Sequence, residues 1–484
     1  MPALTSLGIG SGIDLNTMLT QLVAVERKPL EQMQAEASKL QTKVSSFGQI
    51  QSLVSRLQDA ANKLKGTAGS GVWSQSVAKS SNDQVVTAVS GSSAAPGSYA
   101  VTVTSLASAQ TAASATPFAN ASALMGAGTL TLELGSWDAG RTAFTPKPDT
   151  TAATLTVTAD DTVTTVRDKI NALGAGVTAS IVTDANGTRL ALRSASTGAV
   201  NGFRITAADA DGNNTDGAGL SRIAYDPPGG TVGMLFGQAG ANAVASINGV
   251  PVESATNELT GVVEGLTLRL RGTAATAVDV DVSPDREAIT EAVKGLASAY
   301  SDLAKYIGEQ TKYDATSKVG GPLQGDSAAG NVLARLRGVI NGASGASSAF
   351  GRLSDVGLEL QRDGTLAVDG VKLDKALGDL EGLKKAFTNS DALVTSNEGF
   401  ARRFATLTTE LLAVDGSLTT RSEGLRKLIT QNSEKQSRLE DRVERYQARL
   451  VQQFTAMDSN LARLNALNSY VTQQLAGLAN SGNS

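Results

Sequence analysis

Both ends of this 484-residue chain carry long apolar stripes at helical spacing, and that feature restricts its possible folds more than any other. Leu15, Met18, Leu19, Leu22 and Val23 share one helix face. A helix there is predicted to open at Ser11 or Asp14, whose side chains can cap free backbone N–H groups. Past Pro29, where a kink or restart is expected, the stripe continues from Leu30 through Met33, Leu40, Phe47 and Leu57 to Leu64. A heptad stammer falls between Val44 and Leu53. The closing stripe runs from Leu439 through Leu450, Phe454, Met457, Leu461, Leu464 and Val471 to Leu478. Its surface offers Glu434–Arg438 and Asp441–Arg445 as i,i+4 ion pairs. One such stripe needs only a core to face. Two at opposite termini are explained by pairing with each other or with helices of neighbouring subunits. The chain therefore has to travel out and return, bringing its ends together.

Residues 66–283 differ in character, being rich in Gly, Ala, Ser and Thr with period-2 patches such as Leu266–Leu268–Leu270 and Val278–Val280–Val282. Asn186-Gly187 marks a hairpin turn. The segments "TAVSGSSAAPGSYAVTVT" and "LALRSASTGAVNGFRITA" echo each other as strand, Ser/Gly-rich turn, strand, and read as two related β modules. Helix returns with Ser283 as its cap and Pro284 in its first turn, and Ile289, Val293, Leu296, Tyr300, Leu303 and Ile307 form its buried face. Asp363-Gly364 marks a second short hairpin.

The predicted class is α+β multidomain: a discontinuous helical stalk with two inserted β-rich domains. N- and C-terminal coiled-coil helices and a helical bundle make up the stalk. The expected segments are 1–42 as an N-terminal leg, 43–75 as the first stalk helix, and 76–120 as the first part of a β plate. Residues 121–237 follow as a β tip, 238–283 complete the plate, 284–438 complete the stalk, and 439–484 form a C-terminal leg.

Charge follows the same division. Residues 1–65 hold seven Lys/Arg against five Asp/Glu and residues 421–484 nine against six, leaving the middle at −9 within a total of −4. No basic stripe is interleaved with aromatics as in a nucleic-acid surface, so no nucleic-acid partner is expected. The absence of both Cys and His removes disulfides, thiolate nucleophiles, thiol or imidazole metal sites and imidazole acid–base catalysis. No apolar run approaches the roughly 18 residues of a membrane span, and no membrane insertion is expected. The N-terminus lacks the basic-then-apolar pattern of a cleaved secretory signal, so any export has to read an uncleaved end.

Three motifs touch on chemistry and fall short of it. "GIGSGID" has no strand before it, as a phosphate-cradling loop requires. "SVAK" (Ser76 to Lys79) lacks the companion motifs of a Ser-x-x-Lys nucleophile. "DADGNNTDGAGL" places Asn214 and Leu220 where a calcium loop needs Gly and Glu. Neither an enzyme nor a cofactor is expected.

The opening "TSLGIGSGIDLNTMLTQLVAVERKPLEQM" resembles that of the flagellar filament-capping proteins, the hook-associated protein 2 family. The resemblance continues through "GSYAVTVTSLASAQ", "ASINGVPVESATNELTGVVEGLTLRLRG" and "LSDVGLELQRDGTLAVDGVKLDKAL" to "LEDRVERYQARLVQQFTAMDSNLARLNALNSYVTQQL". It covers nearly the whole chain, with about 121–237 least distinctive. It implies an extracellular protein at the tip of the bacterial flagellum, exported without a cleaved signal by the flagellar type III system. An export chaperone would bind the C-terminal helices. A ring of five or six copies would grip the filament through helical legs, and flagellin subunits would fold and insert beneath a β plate as the filament elongates for motility. On that reading Leu7, Ile9, Ile13 and Leu15 form a filament-contacting leader, which Gly8, Gly10 and Gly12 let adapt to successive surfaces. Leu30, Met33, Leu40, Leu450, Phe454, Met457, Leu461, Leu464 and Val471 form the coiled-coil seam. The alternative is a stalked adhesin binding host glycans or surfaces through the β tip.

Overall fold

The computed structural model describes residues 14–66, 71–316 and 318–481. It divides into two compact units, one built from residues 1–67 with 287–484 and the other from residues 68–286. Both ends of the chain thus enter the same unit. Among the described residues the helices are α1 (Leu15–Lys65), α2 (Val163–Leu173), α3 (Arg286–Thr311), α4 (Ser327–Asn341), α5 (Gly370–Ala376), α6 (Leu380–Thr388), α7 (Phe400–Leu412) and α8 (Ser417–Ser481). All but α2 lie in the first unit.

Asp14 opens α1 by accepting the Thr17 N–H at 2.9 Å, while Ser11 lies outside the described residues. The expected break at Pro29 does not occur, and α1 runs through it. Pro29 is exposed, so the Val25 carbonyl left without an N–H donor faces water and costs little. From Ser46 onward α1 is a core helix: Phe47, Ile50, Val54, Leu57 and Leu64 are fully buried. Ser46 donates to Gln310 of α3 at 2.9 Å, and Gln58 to Thr409 of α7 at 2.8 Å. The six residues expected on the buried face of α3 are all at most 1% exposed. Its start is two residues later than expected, because the strand Val278–Pro284 claims the proposed cap. Ser283 and Pro284 pair there with Val77 and Ser76, and the buried alternation of Val278, Val280 and Val282 carries the ladder to its end. At the start of α4, Asp326 accepts the Ala328 N–H and, through Oδ2, two bonds from Arg421 of α8 at 2.7 and 3.0 Å. The Asp363-Gly364 turn joins Leu358–Leu360 to Leu366–Val368, with Gly364 at φ 85°.

The second unit contains two antiparallel β sandwiches, one inserted in the other. In the outer one, a five-stranded sheet has the order Ser76–Ser80, Val278–Pro284, Gly97–Ser105, Ala243–Ile247, Val250–Ser254. A three-stranded sheet of Glu258–Val263, Leu266–Leu270 and Val86–Ser90 faces it across Val101, Val103, Leu266, Leu268 and Val280. Asn248-Gly249 makes its two-residue hairpin, at φ 50° and 81°, the left-handed pair such a turn demands.

The inserted sandwich packs Gly128–Trp137 and Gly202–Asp209 of one sheet, with α2, against Gly187–Ser194 and Val177–Asp184 of another. Phe118, Leu130, Leu190, Phe203, Ile205 and Tyr225 fill its core. The hairpin expected at Asn186-Gly187 turns one residue earlier, since Asp184 pairs with Gly187 across Ala185 and Asn186. Gly187 is needed for room: a Cβ there would sit 2.5 Å from the Phe118 carbonyl oxygen. The two echoing segments each cross from one sheet of their sandwich to the other.

A cluster of hydrogen bonds rivets the inserted sandwich to the outer one. Ser108 and Ala241 exchange backbone bonds at 2.9 and 3.0 Å, and Ala199 N–H donates to Asn242 at 2.8 Å. Gln110, fully buried, donates to the Phe203 carbonyl at 2.9 Å and accepts the Phe203 N–H at 3.0 Å, acting as a missing strand.

Just before α2, Asp161 is 6% exposed and accepts bonds from Lys169 at 2.5 Å and the Thr158 N–H at 2.7 Å. The Lys169 ammonium and then the Thr158 amide hold its carboxyl well below the usual carboxylate range. A depressed folded value means the stabilisation is fully present above the unfolded value, near pH 4, and is lost as pH falls through the folded one. Asp161→Asn is therefore expected to lower the urea midpoint of this sandwich at neutral pH, with the gap to wild type closing in strong acid. Equal midpoints at pH 7 would exclude that role.

Candidate functional site at the paired terminal helices

The first half of α1 and the middle of α8 pair antiparallel. Leu19 and Val23 meet Val443 and Leu450 in a small apolar cluster, which Leu439, Tyr446, Val451 and Phe454 extend. Direction is fixed by two polar contacts: Arg442 reaches Glu26 at 2.6 Å, and Gln436 reaches the Met33 carbonyl at 3.4 Å. The heptad pattern explains this local fold, since each helix needs a partner for one narrow stripe.

The face read as Leu15, Met18, Leu19, Leu22 and Val23 is two faces. Leu15, Leu19 and Val23 are buried, whereas Met18 and Leu22 are 46% and 39% exposed. A single partner helix covers only positions facing it at alternating gaps of three and four, which leaves the adjoining row open. Of the expected seam, Leu30, Met33, Leu40, Phe454 and Leu461 are half-buried and Leu450 is buried. Met457, Leu464 and Val471 are 37%, 60% and 45% exposed. Leu7, Ile9 and Ile13 lie outside the described residues, as does the side chain of Leu478. The ion pairs expected for Glu434–Arg438 and Asp441–Arg445 do not close within 4 Å; Arg442 instead crosses to α1.

Among the described residues no group of three or more Asp/Glu side chains could hold a metal ion. The acidic loop after Gly202–Asp209 spends its oxygens internally. Asp209 accepts the Leu220 N–H at 2.7 Å, and Asn214 the Asp209 N–H at 2.7 Å. Ser76 of "SVAK" donates to the Gly91 carbonyl at 3.0 Å. No helix of the described residues is long and apolar enough to cross a membrane.

A helical unit built from the two outer stretches of the chain, with a pair of β sandwiches inserted between them in sequence, is the architecture of a flagellar cap protein. The crystal structure of the flagellar cap protein FliD D1-D2-D3 domains from Escherichia coli matches it with a TM-score of 0.57 at 25% identity. That match covers 79% of this chain and 99% of the other. The family models "Flagellar hook-associated protein 2 N-terminus" and "Flagellar hook-associated protein 2 C-terminus" match residues 11–110 and 240–466. The A-type flagellar hook-associated protein 2 of Pseudomonas aeruginosa is 31% identical, over 97% of both chains. The flagellar hook-associated protein 2 of Escherichia coli K12 is 27% identical, over 99% of this chain and all of that one. The chain belongs to the flagellar hook-associated protein 2 family, the cap proteins of the flagellum. Both family matches leave out residues 111–239, the stretch whose sequence was least distinctive.

Proposed function

We propose that this chain caps the distal end of the growing flagellar filament, outside the cell, and promotes folding and insertion of flagellin subunits there. The supporting observation is the exposed seam of α8, in a chain similar over 97% of its length to a flagellar hook-associated protein 2. Leu464, Leu467, Val471 and Leu475 are 60%, 58%, 45% and 61% exposed at gaps of three, four and four, an apolar row that a lone helix does not keep in water without a partner. Neighbouring copies in a ring of five or six, and the filament beneath them, supply that partner. Before assembly an export chaperone covers the same row during passage through the flagellar type III system. Leu7, Ile9 and Ile13 then contact the filament, whereas Leu15, expected to join them, is fully buried within the chain itself and is left out of that contact.

In a strain lacking this gene, the full-length protein is expected to restore filaments and swimming and to end the loss of flagellin to the medium. A chain without residues 1–14 is expected to restore neither. Failure of the full-length chain would overturn the capping reading, and normal filaments from the truncated one would remove the leader from it.

A further inference from the structure

The paired helices carry two exposed rows that neither helix uses on the other. On α1, Met18, Leu22 and Val25 are 46%, 39% and 64% exposed, at gaps of four and three. On α8, Arg438, Arg442, Arg445 and Arg449 are exposed at gaps of four, three and four, which at 100° per residue puts them within one narrow flank of the seam. Glu434 and Asp441 border that flank only on its outer side, away from the seam, and neither closes an ion pair with it. Arg442 alone is spent on an acid of α1; Arg449 lies 5.5 Å over its own neighbour Tyr446.

Antiparallel pairing brings both rows to the same side. Glu26 follows Val25 and stands one turn beyond Leu22, and its partner is Arg442, the second member of the arginine row. By the same register Leu22 lies alongside Arg445, and Met18 alongside Arg449. The face is therefore an apolar row bordered by a basic one, the two sides of a groove one helix wide.

We infer that this groove seats a third helix, supplied by the flagellin subunit: an amphipathic helix whose apolar stripe is flanked on one side by Asp or Glu. The apolar row buries the stripe, and the unpaired guanidiniums take the carboxylates, fixing direction and register as flanking charges do in coiled coils. The inference rests on the capping reading above and adds to it the face used and the chemistry it selects. It also accounts for four aligned arginines that sit beside, and outside, the two-helix seam.

The test uses the full-length protein and monomeric flagellin from the same bacterium. Wild-type binding is expected to weaken as salt rises from roughly 0.05 to 0.5 M, over which the screening length falls severalfold. Arg445→Glu with Arg449→Glu should weaken it at least tenfold and flatten the salt dependence. Met18→Gln with Leu22→Gln should weaken it similarly while keeping the salt dependence. Every position changed is on the surface, and circular dichroism should be unaltered. Both pairs of variants binding like wild type would overturn the inference. So would a change in the protein's own mass by light scattering with flagellin affinity intact, since a second copy would then fill the groove. In the gene-deletion strain, variants that still build filaments would remove the groove and leave capping standing. A wild-type chain that builds none would remove capping itself.

Discussion

Val443→Asp is expected to abolish swimming and to shed flagellin into the medium, while the β unit stays folded. Val443 is 2% exposed, pressed among Leu19, Val23 and Leu450 where α1 and α8 meet. A carboxylate there has no cationic partner in the seam, and burying one costs several kcal/mol. The helix pair holds few buried side chains, and isolated helices are marginal in water, so that cost exceeds what the pairing supplies. The checks are a loss of helical dichroism on the scale of the paired segments and a swimming assay. Leu464→Asp makes the contrast. At 60% exposure it should leave the isolated chain's helicity unchanged and still fail to assemble. A Val443→Asp chain with wild-type helicity and motility would remove the pairing from the mechanism.

Gln110→Leu should destabilise the inserted sandwich by about 2–4 kcal/mol, the loss of one hydrogen bond and the stranding of a buried N–H. The Phe203 carbonyl keeps a donor, the Trp137 indole at 3.1 Å, but the Phe203 N–H keeps none from this side. Leucine fills much the same volume, so little of the effect comes from a cavity. Trp137 is one of only two tryptophans and reports directly on the site. Urea unfolding followed by its fluorescence should show an early transition separate from the loss of helical signal. A single unshifted transition would show that the clamp contributes nothing.

Much of this fold was legible because its signals are periodic. The six buried positions of α3 and the turn at Asp363-Gly364 follow from spacing alone. What failed was local and competitive. Pro284 has the features of a first-turn proline, but two preceding buried valines hold it in a strand, and a ladder outweighs a cap. At Asn186-Gly187 the glycine serves a close approach to Phe118, while Asn248-Gly249, equally visible in "ASINGVPVE", makes the left-handed turn. Splitting Met18 and Leu22 from Leu15 and Leu19 needed the partner helix, because apolar spacing gives the width of a stripe and says nothing of how much is covered. The arginine row was legible in principle, at regular gaps in "SRLEDRVERYQAR". Two of its members, Arg438 and Arg445, were read instead as halves of ion pairs that do not close.

The inserted β unit enters and leaves through adjacent strands, since Ser76 pairs with Pro284. The inner sandwich repeats the device, its two connections tied where Ser108 bonds Ala241. A segment whose two ends lie one strand spacing apart, about 5 Å, can be exchanged like a plug with two adjacent pins. The β unit of such a protein is thus free to diverge, lengthen or be replaced without re-threading the helical stretches that precede and follow it in sequence, and the same socket serves twice, one inside the other.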